Sequence, residues 1–186
     1  VSDYRAAASR TDIGAGLPGV ALCLALLLSR IFAERPGGGT VPALAAVYLI
    51  VFFVCRGAAS EWSPRLGSVA VGVGVAAVLA QRVVLPPVAS GRATVVGVVL
   101  ALAAAVAEES LFRGALYGFL ERAGAATAIV ASALLFALVH VPFYGIASFP
   151  LDLGAGLLFG WQRWVSRGWA APAATHAFAN VVGMLG

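Results

Sequence analysis

Apolar residues run through this chain in long unbroken stretches, without the alternation of half-buried strands, and clusters of Gly, Pro and Arg cut the stretches apart. Divided at those clusters, the chain has apolar segments at about 17–33, 41–56, 67–86, 93–121, 124–141, 150–165 and 169–185. Each is near or somewhat below the roughly 20 residues an α-helix needs to cross a bilayer. The pattern predicts an all-α fold, a polytopic transmembrane helical bundle of about seven helices around a buried polar site. It reads as one domain over 1–186, with N-terminal helices at 17–86 and a motif-bearing core at 93–186. The breaks carry turn chemistry: Glu34-Arg-Pro-Gly-Gly-Gly-Thr40, Ser60-Glu-Trp-Ser-Pro-Arg65, Pro86-Pro87 with Ser90-Gly91-Arg92, and Gly145 to Pro150.

Composition turns a helical reading into a membrane reading. Hydrophobic residues make up 61% of the chain and charged ones 11%, whereas soluble domains carry about 25% charged residues. In lipid every backbone group must be satisfied internally, by helices or a closed barrel, and runs without alternation select helices. The first run, Leu17 to Phe32, follows arginines as a signal peptide does, but the later spans favour a first anchor helix.

Net charge of +4 comes from arginine alone, with no lysine. This fits the codon bias of a GC-rich genome better than a phosphate site, and the all-Arg, Ala-rich composition points to a bacterial inner (plasma) membrane. No basic stripe with interleaved aromatics is present, which excludes nucleic acid as an expected partner. With seven crossings, Arg5, Arg10, Arg56, Arg65, Arg113, Arg122, Arg163 and Arg167 fall on one side and Arg30, Arg35, Arg82 and Arg92 on the other, so the positive-inside rule places the N-terminus in the cytoplasm. Cys23 and Cys55 lie inside apolar segments with no metal-like or paired spacing and read as small hydrophobes. Glycines at 14, 16 and 19 and at 154, 156 and 160 read as close helix packing and not as a nucleotide loop.

Few polar side chains remain at membrane depth: Glu108, Glu109, Arg113, His140, His176 and Asn180, with Gln81 and Arg82 in the third segment. The chain has two histidines and both are among them. A carboxylate at the bilayer centre costs roughly 2.5–3.5 kcal/mol even on the lenient insertion scale, so two adjacent ones mark a place where chemistry is expected. Residues four apart share a helix face, which pairs Glu109 with Arg113, Phe136 with His140 and His176 with Asn180. The Glu109–Arg113 pair lowers the cost of burying both charges and leaves Glu108, about 100° around the helix, to face another element.

Glu beside His can hold and deprotonate a water, and a second His with an Asn can donate hydrogen bonds to a developing oxyanion. Those are the parts needed for amide hydrolysis. Ser110 and Ser132 have no nucleophile-elbow setting, and buried serines in membrane helices bond preceding carbonyls. A zinc site built from the two His and the Glu pair stays open as a second reading, although no His-Glu-x-x-His stands in the sequence. Two further alternatives are polar glue between helices and a proton relay of Glu108, Glu109 and the histidines in a transporter.

Taken in order, Glu108-Glu109-x-x-x-Arg113, Phe136-x-x-x-His140 and His176-x-x-x-Asn180 on separate apolar helices resemble the CPBP (CAAX protease and bacteriocin-processing) intramembrane proteases. The resemblance covers about 93–186. It implies a helical endopeptidase of glutamic type without a metal, in which Glu108 and His140 activate water, His176 and Asn180 stabilise the oxyanion, and Glu109 and Arg113 orient the site. Implied partners are the lipid bilayer and a protein or peptide with a hydrophobic or membrane-embedded segment. A catalytically silent immunity protein on the same scaffold is the corresponding alternative.

The bacterial look favours an unprenylated client, such as a bacteriocin leader or a C-terminal sorting helix, over a prenylated one. Phe112, Phe136 and Phe178, with Phe143 and Tyr144, are candidates for a substrate groove. The segment boundaries place Glu108, His140 and His176 at different depths, so their meeting requires tilted helices or a fourth helix extending beyond the bilayer.

Overall fold

The structure is a computed structural model that describes residues 16–33, 40–55, 63–85 and 93–185. The sequence breaks at 34–39, 56–62 and 86–92, and the arginines at 5, 10, 35, 56 and 92, lie outside the described residues. Seven long helices follow one another among the described residues: α1 Gly16–Ala33, α2 Thr40–Cys55, α3 Pro64–Val84, α4 Val95–Ala123, α5 Ala125–Tyr144, α6 Phe149–Ser166 and α7 Ala170–Leu185. Their number and order follow the apolar segments.

Local chemistry sets the ends. Pro64 begins α3, where the missing N–H has no partner to lose. Thr94 caps α4 by accepting a hydrogen bond from the Gly97 N–H. Gly124, at φ 109°, turns α4 into α5 in one residue, a conformation that disfavours any side chain. By length and composition α3, α4 and α5 are long and apolar enough to cross a membrane; α1 and α2 are apolar but shorter.

The bundle is packed for lipid. Leu22, Leu49, Phe53, Val69, Val73, Val99, Val130 and Leu138 are exposed, whereas Ala105, Ala107, Ser110, Ala133, Ala137, Thr175 and several charged side chains are buried. Small residues inside allow helix axes to approach closely, which is how packing is gained where lipid is as apolar as leucine. A Cβ on Gly156 of α6 would lie 2.9 Å from the Cα of Ala133 on α5, and one on Gly160 would lie 3.0 Å from Ile129. Gly156 and Gly160 thus mark the α5–α6 seam, whereas a Cβ on Gly154 would meet nothing within 4 Å, so that glycine is not a packing position. Gly74 of α3 does the same for the junction with α6 and α7, where Gln162 bridges the Ala70 carbonyl and Thr175 Oγ1. Central α4 packs on α2 and α7, and its middle also meets α1, α5 and α6.

Candidate active site

Midway along α4 the regular helix widens. Residues Val95–Glu109 are α-helical and Ser110–Leu116 form a π-helical segment, all seven of whose residues are buried. Such insertions are rare, cost hydrogen-bond quality, and cluster at functional sites because they re-aim side chains. Glu108 and Glu109 sit at this junction.

Glu109 faces into the protein. Its Oε1 accepts hydrogen bonds from Arg113 Nη1 at 3.0 Å and from His176 Nδ1 at 3.0 Å. The Arg113 guanidinium donates through Nη2 to the Gly156 carbonyl at 2.9 Å and stacks 4.6 Å from the Phe136 ring centre and 5.2 Å from that of Phe159. Both Glu109 and Arg113 are fully buried, a costly state made tolerable by the pairing, the carbonyl and the ring faces. Arg163 Nε donates to the Arg113 carbonyl at 2.9 Å, which ties the wide turn to α6.

Glu108 faces the opposite way. Its Oε1 accepts a hydrogen bond from Arg30 of α1, whose guanidinium lies 4.8 Å from the Phe143 ring centre and 5.5 Å from that of Tyr48. Its Oε2 is buried with no hydrogen-bond partner among the described residues. That oxygen lies 3.7 Å from His140 Nε2 and 4.0 Å from His176 Nε2. These separations exceed a direct hydrogen bond and suit one water bonded to the carboxylate and an imidazole together.

Both imidazoles are held by their other nitrogen. His140 Nδ1 lies 2.7 Å from the Phe136 carbonyl, which only accepts, so Nδ1 carries the hydrogen and Nε2 is turned to Glu108. His176 Nδ1 donates to the Glu109 carboxylate and likewise points Nε2 inward. Ring contacts fix the planes: His140 stacks on Tyr144 at 5.8 Å and lies tilted against Phe136 at 4.3 Å, and His176 stacks on Phe159 at 5.2 Å. The histidines expected at different depths therefore meet one carboxylate.

Asn180, one turn beyond His176, donates from Nδ2 to the Ala101 carbonyl at 3.1 Å, leaving its second amide hydrogen for the cavity it lines. That cavity, about 290 Å³, is bordered by Arg30, Tyr48, Glu108, His140, His176 and Asn180. A second one of about 550 Å³ lies between α3, α5, α6 and α7 and shares His140, Tyr144, His176 and Asn180 with the first. Phe136 lines the second cavity and Tyr144 lines both. Phe112 is fully buried edge-on to Phe136, and Phe178 is half-buried and borders neither cavity. Phe143 serves the Arg30 guanidinium.

Several assignments change. Arg30, Arg113 and Arg163 are buried, so they are interior groups and not the loop charges that the orientation tally counted. The first two segments also supply more to the site than expected, through Arg30 and Tyr48. The readable signal for Arg30 was its place inside the first apolar run, with Ile31-Phe32-Ala33 still to follow. Ser110 and Ser132 bond the carbonyls of Ala107 and Ile129, as buried helical serines do. Cys23 and Cys55 are buried free thiols with sulfurs 3.7 Å apart.

Among the described residues no group of three or more His, Cys, Asp or Glu side chains is arranged to hold a metal ion. Arg30 also sets a cation on the carboxylate that would have to serve a dication.

Residues 90–182, half of the chain, match the family described as Type II CAAX prenyl endopeptidase Rce1-like. Neither a curated protein nor a solved structure matches the chain. The matched segment holds the Glu pair, Arg113, both histidines and Asn180, while Arg30 lies outside it. With its apolar helices and that match, the chain belongs to the Rce1-like type II CAAX prenyl endopeptidase family, a family of proteases, and is an integral membrane protein.

Proposed function

We propose that this protein is a multi-pass intramembrane endopeptidase of glutamic type, in a bacterial inner membrane, that hydrolyses a peptide bond near a terminus of a membrane-associated protein or peptide. The observation that carries the reading is the unpartnered Glu108 Oε2 facing His140 Nε2 at 3.7 Å and His176 Nε2 at 4.0 Å, close enough for one water at the cavity side to bond to the carboxylate and an imidazole together.

In this mechanism Glu108 Oε2 and His140 Nε2 hold a water, and its oxygen attacks the scissile carbonyl carbon as its proton passes to Glu108. The carbonyl oxygen, now negative, accepts hydrogen bonds from the free Asn180 amide hydrogen and from His176 Nε2 when that nitrogen is protonated. Glu108 then delivers its proton to the amide nitrogen, the C–N bond breaks, and amine and acid are released. Glu109, through His176 Nδ1 and Arg113, orients the oxyanion donors; Arg30 holds Oε1 so that Oε2 remains turned to the water.

The reading takes no metal. Support comes from Arg30, since a guanidinium bonded to Glu108 opposes a dication at the same carboxylate. The client is a peptide with an apolar, membrane-embedded segment; a prenylated CAAX terminus, which names the family, is one candidate.

Cleavage of quenched-fluorescence peptides by the purified protein in lipid nanodiscs tests this. Wild-type turnover persists in a chelator, and Glu108→Gln or His140→Ala removes it. Undiminished turnover in either variant overturns the reading. Turnover lost in chelator and restored by zinc selects the metal version.

A further inference from the structure

The larger cavity contains a group that the hydrolytic mechanism does not use. Its walls are mainly apolar, including Val78 from α3, Phe136 from α5, and Leu158 and Phe159 from α6. It is lined by the proposed catalytic histidines and Asn180 and also by Asp152, in the first turn of α6. Asp152 Oδ2 is buried, has no hydrogen-bond partner, and forms no salt bridge with any described residue. Among the lining residues there is no arginine or lysine, and the remaining polar neighbours are Gln81, a neutral amide, and Tyr144, a phenol.

A carboxylate in that position needs an explanation. Acidic residues often sit in a first helical turn to bond free N–H groups, but Asp152 makes no such bond and the cap residue Ser148 accepts none. An ionised group in an apolar recess is retained when a counter-charge meets it. The recess, about 550 Å³, is bordered both by the proposed catalytic residues and by Asp152. Its apolar walls suit methylenes and its carboxylate suits a cation, which together describe a lysine or arginine side chain with its stem packed and its head paired.

Resting on the endopeptidase reading above, we propose that the α3–α5–α6–α7 cavity is a specificity subsite for a basic side chain beside the scissile bond, and that Asp152 is the residue that selects it. Charge selection at one position then adds to the general preference for an apolar segment.

The test uses otherwise identical quenched-fluorescence peptides in which lysine, norleucine or glutamate occupies each position flanking the cut. Norleucine retains the aliphatic stem and removes the charge. For the wild type, kcat/KM with lysine exceeds that with norleucine about tenfold at one position, as a partly exposed ion pair allows. Asp152→Asn equalises the two peptides, and Asp152→Lys reverses the order to favour glutamate. Norleucine equal to lysine at every position in the wild type overturns the proposal without any variant having to fold. So does a lysine preference that survives in Asp152→Asn. If no peptide is cut, the endopeptidase reading fails separately; fluorescence anisotropy of the labelled peptides on the nanodisc protein then decides the subsite, tighter lysine binding lost in Asp152→Asn supporting it and equal binding overturning it.

Discussion

Two adjacent carboxylates open onto very different surroundings. Around Glu109 the interior is sealed: a fully buried ion pair with Arg113, a carbonyl from Gly156, ring faces from Phe136 and Phe159, and a hydrogen bond to His176. Around Glu108 the protein leaves a cavity, a carboxylate oxygen without a partner, and two imidazole nitrogens just beyond direct reach. Each carboxylate has a second oxygen without a hydrogen-bond partner among the described residues, but that of Glu109 is enclosed in the protein interior, whereas Glu108 borders a cavity and its Oε2 faces two imidazole nitrogens. The helix achieves this because successive side chains diverge by about 100°.

If the sealed side is structural, damage there costs stability first. Arg113→Met leaves Glu109 buried without its cation and is expected to destabilise the protein by about 3–5 kcal/mol, measured as loss of thermal stability in nanodiscs. On the cavity side the same logic predicts a kinetic effect. Asn180→Ala is expected to lower kcat about 10²–10³-fold with KM little changed, as loss of an oxyanion donor does, read by steady-state peptide cleavage.

A smaller effect probes the seam that supports the sealed side. Gly156→Ala places a methyl 2.9 Å from the Ala133 backbone, so α5 and α6 must separate. A loss of about 1–3 kcal/mol in thermal stability is expected, with activity falling only as the Arg113 carbonyl partner shifts. Smallest is the effect at the cavity edge. Arg30→Gln removes the group that holds Glu108 Oε1 and is expected to lower kcat about tenfold, or about 1.4 kcal/mol, with Arg30→Lys between it and the wild type. An Arg30→Gln variant that loses stability and keeps its kcat would assign Arg30 to the structural side instead.

Much of this division was legible in the sequence. Apolar runs mark the seven helices, and the i, i+4 rule pairs Glu109 with Arg113, because helical periodicity is a local property. The separation of Glu108 from its neighbour follows from the same geometry. What was not legible depends on contacts between distant segments. Arg30 reads as an anchoring flank, since its counter-charge lies 78 positions away. Glu109 binding His176 Nδ1 is likewise a meeting of α4 with α7. The π-helical turn has no sequence signature of its own, and Phe112 and Phe178 look like Phe136 until packing separates cavity wall from core. Gln162 and Arg163, placed at a helix end by the apolar pattern, prove to be buried bridges to α3, α7 and α4.

The most direct test compares the two carboxylates in one experiment, with Glu108→Gln and Glu109→Gln purified into nanodiscs and each measured for peptide turnover and thermal melting. Turnover of Glu108→Gln is expected to fall by about 10³-fold or more with the melting temperature within about 2 °C of wild type. Glu109→Gln is expected to lose about 3 kcal/mol, which lowers melting by roughly 6–12 °C in a chain of this size. Substantial turnover in Glu108→Gln, or the same loss of stability in both variants, would contradict the assignment of separate duties to the pair.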